Sequence, residues 1–181
     1  MYQILVQNKQ QKLFQSFEVL NLKIRYAELA DLDEIVTVDS TCFPGAEAAS
    51  VDRLRNRLTY YPNHFWIMED KGKIAAYVNG MVTDEKELSD EMYAKADMHN
   101  ENGRWQMIFG VGTVPAYRRQ GCAQRLLERA ISDAKKQGRK GVVLTCKEKL
   151  ISYYSKFGFV DEGISDSTYG GAVWHKMRLT F

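Results

Sequence analysis

One stretch constrains the fold of this chain more than any other. Between residues 105 and 145 an apolar strand pattern runs into the clearest helix, and that helix leads into a second short apolar run. Ala123, Leu126, Leu127, Ala130, Ile131 and Ala134 recur three and four apart between Cys122 and Gln137, the repeat of one buried stripe. Gly138 is a natural stop, and Val142 to Thr145 reads as a strand buried on both faces. A strand, a helix and a strand in that order form a crossover, so at least this part of the sheet is expected to be parallel.

The rest of the pattern builds around that unit. Leu22 to Tyr26 alternates apolar and polar residues as a first strand does. A helix follows with Asp31 near its start and Leu32, Ile35 and Val36 on one side, ending at Cys42-Phe43-Pro44-Gly45. A second helix is expected from about Glu47 to Tyr60, with Val51, Leu54, Leu58 and Tyr61 at helical spacing and Pro62 as the break. His64 to Glu69 and Ile74 to Val82 read as a hairpin turned at Asp70-Lys71-Gly72-Lys73. Residues 83–104 form a polar excursion with one short helix marked by Leu88, Met92 and Lys95, before a strand from Trp105 to Val114. A short helix from about Leu150 to Phe157 and a last strand pair, Phe159-Val160 with Val173 to Leu179, close the pattern. The order predicts one mixed α/β sheet flanked by helices. No linker splits it, so residues 21–181 are read as a single domain behind a leading segment, 1–20, of uncertain order.

Composition removes several classes. With 45% hydrophobic and 27% charged residues among 181, the chain has ordinary globular usage and is not a disordered tail. No apolar run approaches the ~20 residues that cross a bilayer, so no membrane partner is expected. Twenty-five basic against 23 acidic residues leave +2, too near balance to imply a nucleic-acid partner. Cys42, Cys122 and Cys146 are far apart and the three histidines, His64, His99 and His175, are dispersed, so no metal site is expected. An odd cysteine count without an apolar leader favours the reducing cytoplasm.

The junction ahead of the long helix carries the chemistry. It reads Gly110-Val111-Gly112-Thr113-Val114-Pro115-Ala116-Tyr117-Arg118-Arg119-Gln120-Gly121-Cys122-Ala123. A helix start aims unpaired amide N–H groups at one place, and its dipole adds positive potential. Gly121 turns the backbone without a β-carbon, Ala123 leaves room for a phosphate, and Arg118 and Arg119 can add charge-assisted bonds. A diphosphate site and a plain solvated basic turn both fit these local features. Gly110 and Gly112 either accommodate a bulge or let an extended ligand pair with the strand. The pantetheine arm of coenzyme A, with two amides and a diphosphate at its end, fits both halves of the segment.

Val111 to Ala123 resembles the acyl-CoA loop of the GNAT N-acetyltransferase superfamily, whose pattern of Gln or Arg, two residues, Gly, one residue, then Gly or Ala is met by Arg118, Gly121 and Ala123. Tyr153-Tyr154-Ser155-Lys156-Phe157-Gly158-Phe159 resembles the same family's short helix and the strand after it. The elements from about 22 to 179 fit as well. The resemblance implies a centrally splayed mixed sheet and acetyl-CoA as cosubstrate. It places the coenzyme on Val111, Gly112, Thr113, Arg118, Arg119, Gln120, Gly121, Cys122, Ala123 and Gln124. Within the superfamily the arylalkylamine, or serotonin, N-acetyltransferases are the nearest in appearance, through Cys42-Phe43, Glu47-Ala48-Ala49 and the stretch from Leu144 to Phe159.

Acetyl transfer needs a neutral amine, a polarised thioester carbonyl and a proton for the departing thiolate. The tyrosine that serves as general acid in the resembled family matches Tyr154, with Tyr153 as its neighbour. A tyrosine of ordinary pKa near 10 stays protonated at neutral pH and can donate its O–H. The two histidines that help remove the amine proton in those relatives match Met107 and Phe109, neither of which can be a base. Trp105, Met107, Phe109, Val111 and Thr113 have period-2 spacing and are expected to share one face. Phe43, Glu47, Tyr61, Trp105, Met107 and Phe109 are the candidate acceptor contacts, with core packing an equal account of each aromatic ring and helix capping the alternative for Glu47. The expected activity is acetyl transfer to a primary amine, an aralkylamine or another small amine. A protein or peptide acceptor and a non-catalytic acyl-CoA-binding module are the alternatives, and both monomer and homodimer fit.

Overall fold

The computed structural model describes residues 21–181; the expectation for residues 1–20 lies outside that range. Among the described residues seven strands form one sheet in the order β1-β2-β3-β4-β5-β7-β6. They are β1 (Leu22–Tyr26), β2 (Phe65–Asp70), β3 (Lys73–Thr83), β4 (Trp105–Thr113), β5 (Gly141–Cys146), β6 (Val160–Ile164) and β7 (His175–Thr180). Only β4 and β5 are parallel, as the crossover requires. The helices are α1 (Leu32–Cys42), α2 (Val51–Tyr60), α3 (Cys122–Lys136) and α4 (Ile151–Ser155).

Local chemistry explains the boundaries. Arg25 donates to both Asp31 carboxylate oxygens at 2.8 Å and to Glu69 at 3.0 Å, tying β1 to the start of α1 and to β2. Lys71 and Gly72 take positive φ in the β2–β3 turn, the backbone that a two-residue hairpin needs. The second helix begins at Val51, not Glu47, because the Ser50 side chain accepts from the Arg53 N–H and caps it there. Val51 is therefore exposed, while Leu54, Leu58 and Tyr61 are buried.

α3 packs its stripe of Leu126, Leu127, Ala130 and Ala134 on one face of the sheet, against Trp66, Val78, Ile108 and Leu144. Asp133, which the apolar pattern does not mark, is buried beside that stripe. It accepts from the Tyr26 hydroxyl at 3.0 Å, Trp66 Nε1 at 2.9 Å and Arg129 Nε at 2.8 Å, and these donors hold its carboxyl below the usual range against the opposing push of burial. The other face carries two clusters. One joins α1 and α2 to Phe65, Ile67 and Tyr77. The other gathers Tyr61, Met81, Leu88, Met92, Tyr93, Trp105, Met107 and Val143.

That last cluster corrects the reading of residues 83–104. In place of one short helix there are two single 3₁₀ turns, Asp90–Tyr93 and Ala96–Met98, and their apolar side chains plug the sheet. Strand β4 holds the second correction. Asn79 faces Gly110 while Gly80 faces Ile108, so Phe109 is the extra residue of a bulge. The bulge resets the alternation: Trp105 and Met107 lie with Phe109 on one face, and Val111 packs on the α3 face with Ile108. Gly80 is required there, since a β-carbon would stand 1.7 Å from the Met107 carbonyl oxygen.

Candidate active site

β4 and β5 pair only from Trp105 with Gly141 to Ile108 with Leu144, after which they diverge. A cleft of about 560 Å³ lies in the fork, between Phe109–Thr113 on one side and Leu144–Cys146 on the other. A second depression of about 260 Å³ lies at the start of α3. Both include Thr113 and Arg118, so they adjoin there, one at the helix N-terminus and the other along the open edge of β4.

The expected coenzyme residues line these two hollows with one exception. Val111, Gly112, Thr113 and Arg118 border the cleft, and Arg118, Arg119, Gly121, Cys122, Ala123 and Gln124 border the depression. Gln120 turns away, its amide donating to the Ala116 carbonyl at 2.9 Å. Arg119 and Gly121 take positive φ, which curls the loop and presents the first α3 amides. Arg118 Nε donates to the Thr113 carbonyl at 3.1 Å and so ties the loop to the strand end. Gly112 has an internal explanation as well, because a β-carbon there would stand 2.8 Å from the Tyr77 ring.

Tyr154 lines the cleft with 7% of its surface exposed. Burial pushes its hydroxyl well above the ordinary tyrosine value, and the neighbouring Cys146 and Tyr153 push the same way. Tyr153 meets it edge-on at 5.2 Å and lines the depression. Cys146 is likewise raised, to about 11, by burial and then Asp161, so at neutral pH it is a thiol and a poor nucleophile.

The acceptor candidates divide. Phe43, Glu47 and Phe109 line the cleft. Tyr61, Trp105 and Met107 are placed in the third core cluster instead, at 3%, 7% and 0% exposure, because the bulge and the 83–104 turns cover them. Glu47 lies in a turn and does not cap a helix; its carboxylate accepts from Lys147 Nζ at 2.6 Å, with the ammonium 5.6 Å from the Trp174 ring. Lys147 and Trp174 are cleft residues that sequence reading did not assign to the acceptor. Arg57, Asn79, Tyr93 and Tyr169 were missed too, around a small chamber behind Phe109. A signal existed for two of them. Arg57 shares the buried helix face of Leu54, Leu58 and Tyr61, and Asn79 interrupts an apolar strand.

The histidines are not all dispersed. His64 and His99 lie 5.2 Å apart and both reach the Glu101 carboxylate, at 3.0 and 3.2 Å, where Arg139 also donates at 2.8 Å. Their ligand atoms come within 4.8 Å of one another. The Val82 N–H donates to His99 Nδ1, which leaves the ring's proton on Nε2, facing Glu101, and no lone pair there for a metal. His175 stands apart, 3.3 Å from Asp161. None of the three lines the cleft. Several acids of the 83–104 excursion are engaged structurally: Asp84 with Arg104, Glu87 with Arg178, and Asp90 with Ser167 and Thr168.

Residues 32–159 match the model of the Acetyltransferase (GNAT) family, and the chain belongs to that family. It is an acetyltransferase of this class, and its splayed sheet is the fold of its solved neighbours. Serotonin N-acetyltransferase of Mesocricetus auratus is 24% identical over 149 residues, covering 82% of this chain and 68% of that protein. Among solved structures, the GphF GNAT-like decarboxylase in complex with isobutyryl-CoA superposes with a TM-score of 0.75 at 18% identity, covering 87% of this chain and 98% of that one. The ribosomal-protein-S18-alanine N-acetyltransferase from Escherichia coli gives 0.66 at 20% identity, over 88% and 93%. Among the described residues no helix is long and apolar enough to cross a membrane.

Proposed function

We propose that residues 21–181 form an acetyl-CoA-dependent N-acetyltransferase unit that acts on the primary amine of a small molecule by direct attack. The observation that carries this reading is the pair of adjoining depressions that runs from the α3 N-terminus, past the strand edge that β5 leaves open, to the buried Tyr154. The N–H groups and Arg118 and Arg119 at one end suit a diphosphate. The open edge of β4 suits the amides of the pantetheine arm, which it would bind as a further strand. Acetyl-CoA supplies the activated thioester; the protein aligns it with the amine, and that alignment replaces a covalent intermediate.

The amine nitrogen attacks the thioester carbon, the C–S bond breaks as the tetrahedral centre collapses, and the sulfur leaves as thiolate. Tyr154 donates its O–H proton to that sulfur and recovers a proton from solvent. Its raised pKa keeps the proton in place well into the alkaline range. The amine reacts in its neutral form and releases its extra proton to water, since no histidine lines the cleft.

A small acceptor is favoured over a peptide by the narrowness of the space behind Phe109, about 30 Å³, where Tyr93 stacks on Tyr169 with rings 4.4 Å apart. The three free cysteines fit the reducing cytoplasm. A screen with acetyl-CoA and a panel of aromatic amines, polyamines and short peptides tests the reading. Acetylation of one or more amines at the expense of thioester is the expected result. Coenzyme A binding with no transfer to any acceptor would favour a non-catalytic module, and peptides outrunning all small amines would transfer the function to the peptide class.

A further inference from the structure

Behind Phe109 a chamber of about 30 Å³ adjoins the cleft, with Phe43, Glu47, Phe109 and Gly110 on both boundaries. It has room for a small head group and not for a ring. Arg57 and Asn79 line it, 4% and 1% exposed. Arg57 donates to the Asn79 side-chain carbonyl at 3.1 Å and to the Tyr93 backbone carbonyl at 3.0 Å, and its guanidinium lies 4.8 Å from the Phe109 ring centre. Its Nε–H has no partner, and neither has the Asn79 amide nitrogen.

This is an unusual place to leave a cation. Guanidinium stays charged in proteins, so burial cannot be relieved by deprotonation. The hydrogen-bond partners it has are neutral oxygens. Asp39, also on the wall, accepts from the Tyr77 hydroxyl and from the Ala49 N–H at 2.8 Å; it acts on Arg57 through its charge and takes neither of the spare donors. Two donors left without partners in one buried wall, one of them on a guanidinium, are what an oxyanion would satisfy.

We infer that Arg57 and Asn79 form a carboxylate-binding subsite at the inner end of the cleft, so that one reactant of this enzyme carries a carboxylate placed beyond Phe109. The inference rests on the N-acetyltransferase reading only for which reactant that is: the amine, as in an amino acid, or the acyl group of the coenzyme thioester. Both offer the same two oxygens to the same two donors.

Calorimetry separates the sources without requiring turnover. In one arm, protein saturated with coenzyme A is titrated with N-acetylphenylalanine and with N-acetylphenethylamine, which differ by the carboxylate. In the other, malonyl-CoA is compared with acetyl-CoA. The expected result is at least tenfold tighter binding of the carboxylate form in one arm, and that arm names the reactant. Asn79→Asp keeps the side-chain shape, gives Arg57 a carboxylate of its own and removes the free donor. It should fold with an undiminished melting temperature and bring the two forms within about twofold. Equal binding, or none, of both members of each pair to the wild-type protein overturns the subsite, as does full selectivity retained in folded Asn79→Asp. Carboxylate selectivity without acetyl transfer to any amine would leave the subsite standing and remove the acetyltransferase reading; acetyl transfer without selectivity would do the reverse.

Discussion

The two ends of the site are built on different principles. The coenzyme end is backbone: the exposed edge of β4, two residues in the left-handed region and the first turn of α3, all within residues 109–124. The acceptor end is side chain: Phe43 and Glu47 after α1, Arg57 from α2, Asn79 from β3, Phe109 from β4, Lys147 after β5 and Trp174 before β7. Backbone donors are the same whatever the residue, so the first end can be recognised in any chain that bends this way. The second end exists only after six segments have met, and its chemistry changes with each side chain.

The comparison breaks most sharply at Tyr154, which belongs to neither end. Tyr154→Phe should leave coenzyme A affinity intact by calorimetry and lower single-turnover acetyl transfer by about 10²-fold or more, the lower range of general acid catalysis. Unchanged chemistry in that variant would move the proton donor elsewhere.

The pH profile gives the next largest effect. For an amine of pKa near 10 the neutral fraction grows about tenfold per pH unit below that value, and the rate should follow it. Because burial raises Tyr154 above its ordinary pKa, the acid stays protonated through this range and causes no falling limb below about pH 10. After correction for neutral amine, a step near pH 6–7 shared by several acceptors would reveal a protein base that the cleft does not display.

At the backbone end, Gly121→Val places a β-branched residue at a φ of 77°, although a β-carbon there meets nothing within 4 Å. The cost is strain in the loop, about 1–2 kcal/mol or somewhat more for this side chain. Coenzyme A affinity should fall about tenfold with the acceptor preference unaltered. If affinity holds in the folded variant, the coenzyme does not use these amides.

At the side-chain end, Phe109→Ala should raise the acceptor KM several-fold while Trp105→Phe leaves it alone and lowers only the melting temperature. Equal KM effects would mean that the core and cleft assignments of these two rings are wrong. The smallest effect is expected at Glu47→Gln. Its partner Lys147 is one-third exposed, so the pair contributes about 0–1 kcal/mol, and KM should move about twofold or less.

The division between the ends also explains what could be read before any coordinates. The α3 stripe, the β2–β3 turn and the loop from Arg118 to Ala123 were legible because periodicity, a glycine at positive φ and a helix start are short-range constraints. A strict period of two carries Met107 and Trp105 onto the face of Phe109 and makes them acceptor candidates. That face is the right one, but residues 83–104 fold over its lower half and make it core. Val111 and Thr113 were expected there too, and the bulge at Phe109 turns Val111 to the opposite face. Glu47 reads as a helix start because apolar spacing marks the body of a helix and not its first residue; the cap is Ser50, whose side chain starts the helix at Val51.

The sequence by itself determined the parallel crossover and the loop and helix start to which we assign the coenzyme, since each is written in residues that touch along the chain; Tyr154 came from the resemblance. Tertiary structure decided the acceptor end. Arg57 and Asn79 are 22 positions apart and Glu47 and Lys147 are 100 apart, and neither pair leaves any periodic trace. Their meeting depends on how far β4 and β5 splay and on one inserted residue in β4, quantities set by packing between layers and not by the preference of any local segment.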